Sequence, residues 1–99
     1  MRLSSEQIDS LRRIVRTVAG PAARVRVFGS RLRDDAAGGD LDLLVEMAEA
    51  VDAPAELAAR LSARISRSLH GRTVDVLILV PNLRRLPVHE IALAEGQLI

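Results

Sequence analysis

The stretch VFGSRLRDDAAGGDLDLLVE, Val27 to Glu46, decides how the rest of the chain is read. It starts as the end of an apolar strand, breaks at Gly29-Ser30, and re-enters a strand at Asp40. Asp40 and Asp42 then run straight into Leu43, Leu44 and Val45. In a strand, residues two apart point to the same face. The two aspartates therefore project together, at the N-terminal end of a strand whose other face is apolar. Alone, a Gly-Ser is a turn and an Asp-x-Asp is a solvated strand edge or a helix cap.

Working outward, the upstream segment reads as a helix. Ser4 or Ser5 caps it, Ile8, Leu11, Val15 and Val18 recur at spacings of three and four, and Gly20-Pro21 ends it. Arg24 to Phe28 alternates, with Val25 and Val27 on one face, and reads as a first strand. A helical turn over Ser30 to Asp35 and a loop over Ala36 to Gly39 lead to the second strand, Asp40 to Glu46. Downstream, Pro54 suits a first helical turn, and Leu57, Leu61 and Ile65 mark a buried stripe. His70-Gly71 closes that helix, with Gly71 expected at C′. Thr73 to Val80, nearly all β-branched or Leu, is a third strand, and Pro87 opens a last short helix that Gly96 closes.

The expected order is thus α-β-α-β-α-β-α in one domain, residues 1–99, with a small mixed sheet of about three strands flanked by helices. The strand–helix–strand unit over residues 40–80 predicts a parallel, right-handed pair, and the first two strands pair antiparallel. That geometry brings Asp75, near the start of the third strand, alongside Asp40 and Asp42. It carries Gly29-Ser30 to the same corner.

Three carboxylates within about 5 Å repel by about 3 kcal/mol per pair at an effective dielectric near 20. A hard divalent cation with oxygen ligands, Mg²⁺ first, relieves that cost and keeps open positions for phosphate oxygens. A helical turn beginning at Ser30 offers free N–H groups to an anion, and Arg31 and Arg33 follow within reach of terminal phosphates.

Composition narrows the chemistry further. The chain has no cysteine, which removes disulfides, thiolate metal sites and a cysteine nucleophile. Its 14 basic residues are all Arg, balanced by 13 acids, so net charge gives no footprint for direct nucleic-acid binding. The row Arg60, Arg64, Arg67 reads as one solvated helix face. His70 and His89 have no partner at metal-ligand spacing and read as structural. The start MRLSSEQIDS lacks an apolar signal region, and the apolar run Val76 to Val80 is too short to span a membrane, so the expected location is the cytoplasm.

Gly29-Ser30, then nine intervening residues, then Asp40-Leu41-Asp42, then Asp75 in a strand, resembles the signature of the DNA polymerase β superfamily of nucleotidyltransferases. Chain length, helix order and the closing segment HEIALAEGQLI resemble its minimal nucleotidyltransferases, over nearly the whole chain. The resemblance implies the polymerase β-like α+β fold. It implies Asp40 and Asp42 as ligands of the catalytic Mg²⁺, two ions in all. Asp75 would complete the site and act as general base. Gly29 and Ser30 would hold the β- and γ-phosphates of ATP. Members of this size are often paired with a helical HEPN-type protein, which they adenylylate as antitoxin, so a hetero- or homo-oligomer is expected.

Gly39 stands where members commonly have Ser or Thr, and Asp34 where many have Gly. Two alternatives follow. One is a catalytically silent antitoxin of the same fold. The other is transfer to a small-molecule hydroxyl, for which relatives add a helical domain and this chain would need a second subunit.

Overall fold

The computed structural model describes residues 3–29 and 40–99. Three helices and four strands are formed among them: α1 (Ser5–Ala19), β1 (Arg24–Phe28), β2 (Leu41–Glu46), α2 (Pro54–Ser68), β3 (Val74–Leu79), α3 (Pro87–Glu95) and β4 (Gln97–Leu98). The sheet order is β3-β2-β1-β4. As expected, β1 pairs β2 antiparallel and β2 pairs β3 parallel.

Local chemistry explains the boundaries. Ser4 Oγ accepts from the Gln7 N–H at 3.1 Å while Gln7 Oε1 accepts from the Ser4 N–H at 2.9 Å, a reciprocal cap that starts α1. Gly20, at φ +100°, stops it. The end of α2 differs from expectation by one residue. His70, not Gly71, takes the first left-handed position, at φ 60°, and Gly71 follows at φ 83°. The Gly71 N–H then donates to the Ser66 carbonyl at 2.9 Å, the long bond of a Schellman ending.

A second correction concerns the sheet, which has four strands rather than about three. After Gly96 the chain does not simply end a helix: Gln97 and Leu98 pair antiparallel with Val27 and Arg26. A Cβ on Gly96 would collide with the Ala92 carbonyl and press on Arg26, so glycine lets the chain fold back against β1 here. The expected helical turn over residues 30–35 lies outside the described residues.

The two faces of the sheet are unlike. Val25, Val27, Leu41, Leu43, Val45, Val74 and Ile78 point to one face, where Leu11 and Val15 of α1 and Leu61 and Ile65 of α2 cover them. Leu41, Leu43 and Val45 are wholly buried there, each worth roughly 1.5–3 kcal/mol of transfer free energy. The other face carries Asp42, Leu44, Glu46, Asp75, Leu77 and Leu79, and among the described residues only α3 crosses it, through Ala92 and the half-buried Leu93. Buried His89 fastens α3. Its Nδ1 accepts from the Leu86 N–H at 2.9 Å, which leaves the proton on Nε2, 3.0 Å from the Ile78 carbonyl. This fits the structural reading of His89. Among the described residues no helix is long and apolar enough to cross a membrane.

Candidate functional site

The site is built at the N-terminal ends of the two parallel strands. The Leu41 N–H donates to the Thr73 carbonyl at 3.0 Å, which levels the starts of β2 and β3. From there the parallel register sets Asp42 directly beside Asp75. Antiparallel β1 arrives from the opposite direction and sets Phe28 directly beside Asp42 on its other flank. The row across this sheet face is therefore Asp75, Asp42, Phe28. Directly opposed side chains on one face stand about 5 Å apart at Cβ.

Next to Phe28, Gly29 makes the closest approach. It sits at φ +77°, and a Cβ on it would collide with Asp42 Oδ2. Two independent conditions thus require glycine: a left-handed backbone and a carboxylate pressed against its Cα.

The electrostatics follow from that row. Asp42 is half-buried, Asp75 and Asp40 are exposed, and Asp40 lies just before β2 rather than within it. Burial, then the charge of Asp75, then that of Asp40, push the Asp42 carboxyl above its ordinary value. The strand end therefore holds more negative charge than it can comfortably keep.

Hard oxygen donors crowded in this way suit Mg²⁺, which is bound through one or two carboxylates and completes its shell with water and substrate phosphate. Asp42 and Asp75 fit that requirement. Among the described residues, no three His, Cys, Asp or Glu side chains are drawn together as a ready-made cage. Ser30, Arg31, Arg33 and the departures at Asp34 and Gly39 lie outside the described residues.

A hollow of about 370 Å³ opens at the opposite end of the sheet, between Ala19–Ala23 and Met47–Val51. Half of its lining residues are alanine, and Glu49 is the one titratable side chain among them. Sequence reasoning placed Asp42 and Asp75 on one face but missed Phe28. Strand parity alone could not have found it, because parity does not fix the register across the segment that links β1 to β2.

A family model described as a nucleotidyltransferase domain matches residues 8–99. A crystal structure of a candidate nucleotidyltransferase from Sulfolobus solfataricus is similar over 99% of this chain and 89% of that one, at 22% identity and a TM-score of 0.46. No curated protein matches the chain.

Proposed function

The chain belongs to the nucleotidyltransferase domain family, and on that premise we propose that it moves AMP from ATP to a hydroxyl of a partner protein, releasing pyrophosphate. The observation that carries this reading is the in-register pair Asp42–Asp75 with Gly29 pressed against Asp42. The acceptor oxygen bonds to the α-phosphorus, and the bond from that phosphorus to the bridging oxygen breaks. Pyrophosphate leaves with the electron pair, and Asp75, exposed at the strand edge, accepts the hydroxyl proton.

Asp40, Asp42 and Asp75 would hold Mg²⁺, two ions in all. When bound, the metal would neutralise charge developing on the phosphates. Gly29 and Ser30 would take the β- and γ-phosphates, with Arg31 and Arg33 beside them. The chain contains no tyrosine, so a tyrosine acceptor belongs to another molecule. A helical HEPN-type toxin in the cytoplasm is the partner this reading assigns, with the present chain as its antitoxin.

The test is incubation of the pair with α-labelled ATP and Mg²⁺, alongside calorimetry of Mg-ATP on the isolated chain. Label should appear on the partner, and Asp42→Asn should remove it. Equal labelling by the variant sinks the assigned site.

A second reading, neutralisation by occlusion without chemistry, is favoured by the lack of a ready three-carboxylate cage among the described residues. It expects the double variant Asp40→Asn, Asp42→Asn to bind and neutralise the partner as the wild type does. Loss of neutralisation with the complex intact removes it.

A further inference from the structure

Among the described residues the outer edge of β3 carries no strand, since β3 ends the sheet on that side. Its hydrogen-bonding groups can be assigned one by one. The Leu41 N–H bonds to the Thr73 carbonyl and the Met47 N–H to the Leu79 carbonyl, in a parallel register of Leu41 with Val74. Residues 73, 75, 77 and 79 therefore turn their backbone groups towards β2. Val74, Val76 and Ile78 turn theirs outward, because backbone direction alternates along a strand.

Two of the three outward carbonyls are closed by side chains. Ser62 Oγ donates to the Val74 carbonyl at 2.5 Å, and His89 Nε2 to the Ile78 carbonyl at 3.0 Å. Val76 lies between them. Among the described residues no group bonds its outward N–H or C=O. The edge segment VDVLIL carries no Pro and, apart from Asp75, no charged side chain, the features that usually discourage edge pairing.

We infer that this edge pairs with the same edge of a second copy of the chain, antiparallel about Val76, so that two four-stranded sheets join into one. The pattern of open groups is self-complementary. Each Val76 N–H meets the carbonyl of Val76 in the second copy. The N–H groups of Val74 and Ile78 meet the Ile78 and Val74 carbonyls, whose second lone pairs remain available.

The surroundings agree. Leu83, Leu86, Val88 and Ile91 are 38–51% exposed, and all belong to the segment that leaves β3 and is pinned to its edge through His89. Of these, Val88 adjoins His89 and so lies nearest the seam, while the body of α3 packs on β1 and β2. Pairing about Val76 also sets Asp75 opposite Leu77 of the second copy, on the face that carries the acidic corner. Asp75 of one copy stands diagonal to Asp75 of the other, roughly 7–8 Å apart, where exposed like charges cost little.

The test is sedimentation of the full chain over a wide concentration range, with two cysteine variants in a protein that has none of its own. The wild type should show a reversible monomer–dimer equilibrium. Val76→Cys should form a disulfide dimer under mild oxidation, since directly paired Cα atoms lie about 5.5 Å apart. Gln97→Cys, on the opposite edge, should not. Val76→Pro removes an outward N–H, which an edge strand tolerates, and alters a half-buried side chain packed on the core; it should weaken association roughly tenfold or more. A wild type that stays monomeric throughout overturns the inference. So does a dimer that crosslinks through position 97, or a folded Val76→Pro chain that associates undiminished. If Val76→Pro fails to fold, the crosslinking pair decides.

Discussion

The two faces of one sheet divide the work of this molecule. Beneath α1 and α2 lie thirteen buried apolar residues, drawn from both helices, three strands and the turns that follow α2 and β3. Beneath α3 three are buried among the described residues, and the same face carries Asp42, Asp75 and the Arg26–Glu46 ion pair at 2.8 Å. Charge is placed where the sheet is thinly covered. Asp42 sits one residue from wholly buried Leu41 and Leu43, yet it opens to solvent because strand parity turns it the other way. A fold with one dense face can carry a repulsive cluster on the other without losing its core.

Two neighbouring leucines, one on each face, should differ most. Leu43→Ala opens a cavity on the dense face and should cost about 3–5 kcal/mol, a large part of the stability of a domain this size. Leu44→Ala, equally buried but under the thin cover of α3, should cost about 2–3 kcal/mol because its surroundings can collapse inward. Urea titration of both variants decides it; equal losses would mean that the α3 face is packed as rigidly as the other.

Gly29→Ala probes the seam between core and site. The new Cβ meets both an unfavourable backbone angle and Asp42 Oδ2, so we expect a loss of about 1–3 kcal/mol. Nucleotidyl transfer should fall further than stability, because the carboxylate must move away. Transfer that falls only in step with the unfolded fraction would show Gly29 to be a turn residue alone.

Asn82→Ala tests the far end of the sheet, away from the acids. The Asn82 side chain grips Val51 twice, accepting from its N–H at 3.1 Å and donating to its carbonyl at 2.8 Å. This ties the β2–α2 linker to the turn after β3. At exposed positions the loss should be about 1 kcal/mol, with transfer activity unchanged. A fall in activity would couple the two ends of the sheet.

The unequal faces also explain what could be read in advance. Elements with a repeating apolar face were legible: the Leu11–Val15 and Leu61–Ile65 stripes, and the alternation Val25–Val27 and Leu41–Leu43–Val45, each name both an element and its buried side. The pairing of Asp42 with Asp75 followed from parity plus a parallel crossover. β4 was not legible, because Gln97 and Leu98 are too few to show a period and owe their state to Gly96 letting the chain fold back against β1. Nor was the left-handed His70, since its neighbour Gly71 is the cheaper residue for that angle. Phe28 escaped because its role lies in what it faces across the strands.

The smallest effect is the most specific to the acidic face. In the folded chain the Asp42 carboxyl holds its proton above the ordinary aspartate value of 3.8, owing to burial and to the charges of Asp75 and Asp40. Well below that value both folded and unfolded chains are protonated and the group contributes nothing. As pH rises through the ordinary value towards the raised one, the unfolded chain releases its proton more readily than the folded chain does. The fold is destabilised across that window and stays so at neutral pH. Asp42→Asn removes the penalty. Its stability should match the wild type near pH 3 and exceed it at pH 7, by less than about 1 kcal/mol given solvent screening of a half-exposed group. Thermal melts at the two pH values measure this directly. A variant no more stable than the wild type at pH 7 would mean that the row Asp75, Asp42, Phe28 holds its charges without strain, and with that the physical case for a cation at this corner would lose its main support.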